Sequence, residues 1–167
     1  MNRSSISLLC VFVLSSCVYS PPKGIPTVPF TLRALSASGT AKVCSEGSWV
    51  PLGTLAVTPA EHKNELIKWD GEEFSNNLPA GTQVLLKFTA FGGPAGYGEE
   101  NFCDVVVMLP TQDGNAYRAD LKNLGYACQV KIFAIDNAGI ERPVRDMIQE
   151  EGGKCLPPKA INGDVAN

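Results

Sequence analysis

A single histidine, His62, is all that 167 residues offer toward imidazole chemistry. It lies in a polar stretch with Glu61, Lys63 and Asn64, and no serine or cysteine motif marks it as a general base. Close CxxC or His-rich spacing is also missing, so a metal centre is not expected. Basic runs are absent: 14 Lys and Arg are scattered among 17 Asp and Glu, for a formal charge of −3. Nucleic acid, which selects a basic patch, is therefore not expected as a partner. Spanning a hydrocarbon core takes about 20 apolar residues, and the stretch Ile6 to Leu14 offers roughly half of that before Pro21-Pro22 interrupts the chain. A transmembrane helix is not expected on that count. The one glycine-rich stretch, Gly92-Gly93-Pro94-Ala95-Gly96-Tyr97-Gly98, lacks the following helix, lysine and hydroxyl that a phosphate cradle requires. There is no internal repeat.

What the amino terminus does carry is ordered. Arg3 is the only charge before Cys17, an apolar stretch follows it, and Ser15-Ser16 are small, which is the layout of an export signal. Leu14-Ser15-Ser16-Cys17 resembles the bacterial lipobox. That resemblance implies a diacylglyceryl group on the Cys17 sulfur, cleavage before Cys17, and acylation of its new amine, palmitate being a typical chain. A thiol is needed because it must be nucleophilic enough to be alkylated. Two chains already hold a protein stably in a bilayer. By the family's sorting rule, Val18 in place of an aspartate favours the outer membrane. Residues 1–16 are thus expected to be a cleaved signal, and 17–27, rich in proline, an extended lipidated tether.

Removal of the signal leaves 151 residues, enough for one domain with a sizeable core, and brings the charge to −4. Four cysteines remain besides Cys17, namely Cys44, Cys103, Cys128 and Cys155. An even number in an exported chain points to two disulfides, with three pairings possible. Strand alternation selects among them. Val28, Phe30, Leu32 and Ala34 share one face of a strand, as do Val84, Leu86, Phe88 and Ala90 of another. The same parity puts Cys103 with Val105, Val107 and Leu109, and Cys128 with Val130, Ile132 and Ala134, so both cysteines face inward. Cys103–Cys128 and Cys44–Cys155 are the expected bridges.

Asp113-Gly114 and an alternating run through Tyr117 and Leu121 suggest a meander of three antiparallel strands over 102–135. Further turn signals recur about every ten residues, a cadence that fits a sandwich. Thr58-Pro59-Ala60-Glu61 predicts a short helix before Trp69, and Pro143 to Gly152 a second. The expected fold is mainly β, an antiparallel β-sandwich over 28–155 with one or two short helices, followed by a flexible tail over 156–167. Leu78-Pro79-Ala80-Gly81-Thr82-Gln83-Val84, Cys103, Leu109-Pro110, Gly114, Tyr117, Gly125 and Cys128-Gln129-Val130 resemble a pattern in small bacterial envelope lipoproteins, over the middle third of the chain. The resemblance implies a disulfide-bridged sandwich without catalytic residues.

The remaining features read blandly. Glu72-Glu73, Glu99-Glu100 and Glu150-Glu151 are adjacent pairs, which a strand sends to opposite faces, so they read as solvated surface. Asp136-Asn137-Ala138-Gly139 reads as a turn without the spacing of a calcium loop. Trp49 and Trp69 read as core residues before they read as exposed anchors. Loop 92–100, with Tyr97, Glu99 and Glu100, is the candidate contact loop. The expected function is a non-enzymatic binding or structural module, without cofactor, lipid-anchored through Cys17 on the periplasmic face of the outer membrane and partnered by an envelope protein. An envelope enzyme or inhibitor using the loop around 92–100 is the alternative.

Overall fold

The computed structural model describes residues 18–35, 38–55, 73–91, 102–124, 127–145, 147–150 and 153–155. Ten strands run through them: β1 Thr27–Leu35, β2 Ser38–Ser45, β3 Ser48–Leu55, β4 Glu73–Pro79, β5 Gln83–Phe91, β6 Phe102–Pro110, β7 Ala116–Asn123, β8 Cys128–Ile135, β9 Glu141–Pro143 and β10 Ile148–Glu150. They form two five-stranded sheets, A in the order β4-β1-β7-β8-β9 and B in the order β10-β6-β5-β2-β3. The fold is a β-sandwich.

The inward stripes are those the alternation predicts. Val28, Phe30, Leu32 and Ala34 are buried, as are Val84, Leu86, Phe88 and Ala90 and, from β7, Tyr117, Ala119 and Leu121. Phe30 of sheet A meets Phe88 of sheet B at 6.4 Å between ring centroids, in a tilted contact at the centre of the core.

Neighbour relations differ from the expectation in three places. First, β6 lies in sheet B while β7 and β8 lie in sheet A, so the turn at Asp113-Gly114 carries the chain from one sheet to the other and the three strands are not a meander. Second, β1 pairs with β7 in parallel, Phe30 opposite Tyr117, so sheet A is mixed; every other pairing is antiparallel. A period of two fixes which face is buried but not which strand lies alongside. Third, the helix expected over Pro143 to Gly152 is replaced by β9 and β10. The chain there passes from the edge of sheet A to the edge of sheet B, and Val144 and Met147 pack against the core from that crossing. Their apolar spacing of three serves an extended closure of the sandwich side. The helix expected at 58–69 and the tail 156–167 lie outside the described residues.

Two strands that alternation did not single out, β2 and β3, form a hairpin whose tip is Glu46-Gly47, both at positive φ (51° and 78°). Positive φ at both central positions suits the right-handed twist of a two-residue hairpin, and Glu is an uncommon residue there. The seam between edge strands β3 and β4 is tight. A Cβ on Gly53 would stand 2.8 Å from the Phe74 ring, so only glycine lets that ring seat. Asn76 faces the same seam and donates from Nδ2 to the Leu52 carbonyl at 3.0 Å and the Tyr19 carbonyl at 3.3 Å.

Both disulfides are formed as expected, Cys103–Cys128 with Cα atoms 5.5 Å apart and Cys44–Cys155 with 5.2 Å. They do different work. Cys103–Cys128 joins β6 to β8 across the sandwich. Cys44 sits on the outer face of β2, so its bridge draws the segment after β10 across the outer face of sheet B. Leu85 and Val106 point outward from that sheet, yet both are buried and neither belongs to the central core.

Candidate functional site

Strand direction sorts the connections between the two ends of the sandwich. At the proximal end, where the chain enters, β1 begins, β4 ends, and the turns 79–83, 110–116 and 135–141 are short and fastened. The buried Thr111 hydroxyl accepts the Thr82 amide at 3.2 Å and reaches the Pro79 and Thr82 carbonyls at 2.8 Å. The Tyr117 hydroxyl accepts the Gln112 amide at 2.8 Å. Asp136 Oδ1 accepts the Ala138 and Ile140 amides at 2.9 Å, so the run Asp136 to Gly139 is a turn, as expected. At the distal end lie the short connections 35–38 and 123–128 and the long ones 55–73 and 91–102, bordered by Cys103–Cys128. Long connections at one end of a rigid sandwich are where contacts with other molecules concentrate.

Tyr97, Glu99 and Glu100 lie outside the described residues, as do Cys17, His62 and Trp69. The strands that bracket loop 92–100 are described. Phe91 and Phe102 face each other across the β5–β6 ladder on the outer face of sheet B, 44% and 69% exposed. Leu124, also exposed, follows β7 at the same end. The sequence points to the loop as the contact, whereas this exposed aromatic pair stands at its foot. The signal was present, because Phe91 and Phe102 fall on the outward parity of strands whose inward parity was already assigned.

One rung further from the loop, Asp104 accepts the Thr89 hydroxyl at 2.5 Å and pairs with Lys87 Nζ at 2.6 Å. Partial burial on its own would raise the Asp104 pKa. The hydrogen bonds from Lys87 and Thr89, with the charges of Lys87 and Lys42, outweigh it and hold the carboxyl below its ordinary value. A depressed carboxylate contributes stability that is complete above the ordinary carboxylate range and is lost as the pH falls through it toward the depressed value. The melting temperature of Asp104→Asn is therefore expected to fall less than that of the unaltered protein when the pH is lowered from about 5 to about 3. Parallel thermal melts check this, and equal slopes would discount the pair.

The outer face of sheet A carries a charge network instead. Arg118 pairs with Asp120 at 3.1 Å and with Glu141, and its guanidinium lies 4.8 Å from the centre of the Phe133 ring. Arg33 reaches Asp120 at 3.4 Å and Glu73 at 4.0 Å. These cations are engaged by neighbouring carboxylates, and partly exposed pairs of this kind add about 0–1 kcal/mol each. Trp49 also departs from expectation. It stands opposite Cys44 on the outward side of the β2–β3 hairpin, half-buried and outside the core. Among the described residues no group of three His, Cys, Asp or Glu is arranged to hold a metal ion.

Comparison with family models, with curated proteins and with solved structures gives no match for this chain. The β-sandwich is established by its own strand pairing.

Proposed function

We propose that this chain is a lipid-anchored module of the bacterial envelope that binds or braces another envelope protein and performs no catalysis. The observation that carries the reading is Leu14-Ser15-Ser16-Cys17 behind a short apolar stretch. Two disulfides in the domain agree with an oxidising compartment. Val18 after the cysteine favours the periplasmic face of the outer membrane. The contact surface in this reading is the distal end, where Phe91 and Phe102 stand at the foot of the loop that holds Tyr97, Glu99 and Glu100. Aromatic side chains at such positions supply large contact area at little conformational cost.

Cells expressing the chain with a fatty-acid probe are expected to label it, and Cys17→Ser is expected to abolish both label and membrane retention. A labelled, membrane-bound Cys17→Ser protein refutes the anchor. Crosslinking in intact cells, followed by identification of captured proteins, tests the partner. Phe91→Ser with Phe102→Ser is expected to remove a captured envelope protein with only a small fall in melting temperature, since the two rings pair across the β5–β6 ladder. Capture unaffected by those changes and by Tyr97→Ala with Glu99→Ala eliminates the distal end as the contact surface.

A further inference from the structure

We infer that the open distal edge of β8 docks a strand of a partner protein, an extended segment in which apolar and acidic residues alternate. This rests on the binding half of the reading above, not on the anchor, and deepens it by naming the partner's chemistry. One side of the sandwich is closed unevenly. β9 covers β8 only at Phe133–Ile135, and Val144 then donates to the Ile132 carbonyl at 2.9 Å before the chain crosses to β10. β10 in turn covers β6 only at Val106–Met108. Distal to these short strands, that side is bridged by Cys103–Cys128. Among the described residues no strand pairs with the outer edge of β8 from Cys128 to Lys131.

Alternation decides which backbone groups point into the gap. In an antiparallel ladder the amide and carbonyl of one residue point to the same side, and successive residues alternate. The Ile132 carbonyl points to β9, so the amides and carbonyls of Val130 and Cys128 point the same way, while Gln129 and Lys131 turn toward Lys122 and Asp120 of β7. Ala127, whose carbonyl accepts the Leu124 amide, keeps that parity. Two amides and two carbonyls are thus offered to an added strand, a mode of recognition in which backbone bonds give affinity and alternate side chains give selectivity. Residues of that strand beside Cys128 and Val130 face inward, over the Cys103–Cys128 bridge and buried Val130, a setting that selects apolar side chains. Those beside Gln129 and Lys131 face outward. There Lys131 and, on β7, Lys122 are exposed, as is Arg145 where the chain leaves β8. Among the described residues none of these three cations pairs with a carboxylate, and Asp120, opposite Lys131, is held by Arg33 and Arg118. Acidic side chains on the added strand complement that row. The same cations oppose a second copy, because pairing β8 with itself brings two sets of lysines together, a common defence of open edges.

Amide exchange in the full chain, as cells produce it and held in detergent micelles, reads this edge residue by residue. Val130 is expected to exchange about tenfold or more faster than Gln129 and Lys131 on either side. Protection of Val130 equal to theirs means that the chain covers its own edge, and overturns the site. Protection that grows with protein concentration gives the edge to a second copy and overturns the acidic partner. The probe is a blocked peptide of about six residues alternating valine with glutamate. At about ten times its dissociation constant it is expected to slow exchange at Val130 about tenfold. Methylation of the peptide nitrogens that face the edge is expected to abolish binding, and Lys131→Glu with Arg145→Glu to shift the preference to a peptide alternating valine with lysine. No binding at about 1 mM, equal binding of the two peptides to the unaltered chain, or binding indifferent to methylation each overturns the proposal. Capture through Phe91 and Phe102 is read separately by crosslinking, so failure of the edge leaves the distal surface standing.

Discussion

Replacing Cys44 and Cys155 together by alanine is expected to lower the unfolding free energy by about 4.8 kcal/mol, and the same change at Cys103 and Cys128 by about 3.5 kcal/mol. The difference comes from loop length. The bridges span 111 and 25 residues, and chain entropy assigns that ratio about 1.3 kcal/mol. Cys103 and Cys128 pack against the core whereas Cys44 and Cys155 do not, so packing narrows the difference that loop length sets. Urea unfolding of the two double variants checks the ranking, and a larger loss at Cys103 and Cys128 would contradict it. The local consequences also separate. Loss of Cys44–Cys155 frees the segment that crosses sheet B, so amide exchange in β10 and around Leu85 and Val106 is expected to quicken. Loss of Cys103–Cys128 is expected to quicken exchange at the distal ends of β6 and β8 and to leave β10 protected.

Phe30→Ala and Phe88→Ala are each expected to cost about 3–5 kcal/mol, since both rings are wholly buried and a cavity remains where either is removed. Against a typical stability of about 5–15 kcal/mol, either change removes a large fraction of the total. The two rings meet across the sheets, so their effects should not add. The double variant is expected to lose about 0.5–1.5 kcal/mol less than the sum of the singles. Strict additivity in urea titrations would show that the rings are held by their other neighbours and not by each other.

Much of this architecture is written locally in the chain. The inward stripes of β1, β5, β6 and β8 follow from a period of two in hydrophobicity. Cys103 and Cys128 fall on inward positions, which favours their pairing among the three possible, and the structure shows that pairing. Phe91 and Phe102 were readable by the same parity, as outward residues, though the glycine-rich loop between them is the more conspicuous feature of the sequence. The Glu46-Gly47 hairpin was harder to read, because glutamate seldom occupies positive φ and the tertiary pairing of β2 with β5 and β3 supports it there.

Three things were available from the chain before any fold was known: the buried faces of β1, β5, β6 and β8, the expectation of two disulfides, and the expectation of a lipid anchor at Cys17. All of these are properties of a residue and its near neighbours. Five others emerge only in three dimensions: the parallel contact of β1 with β7, the change of sheet between β6 and β7, the use of Pro143 to Glu150 as edge strands, the outward face of Trp49 and the docking of Tyr19. Those depend on which apolar face finds which partner and on how each sheet edge is closed. Such choices are made by residues far apart in the chain, and no local period records them.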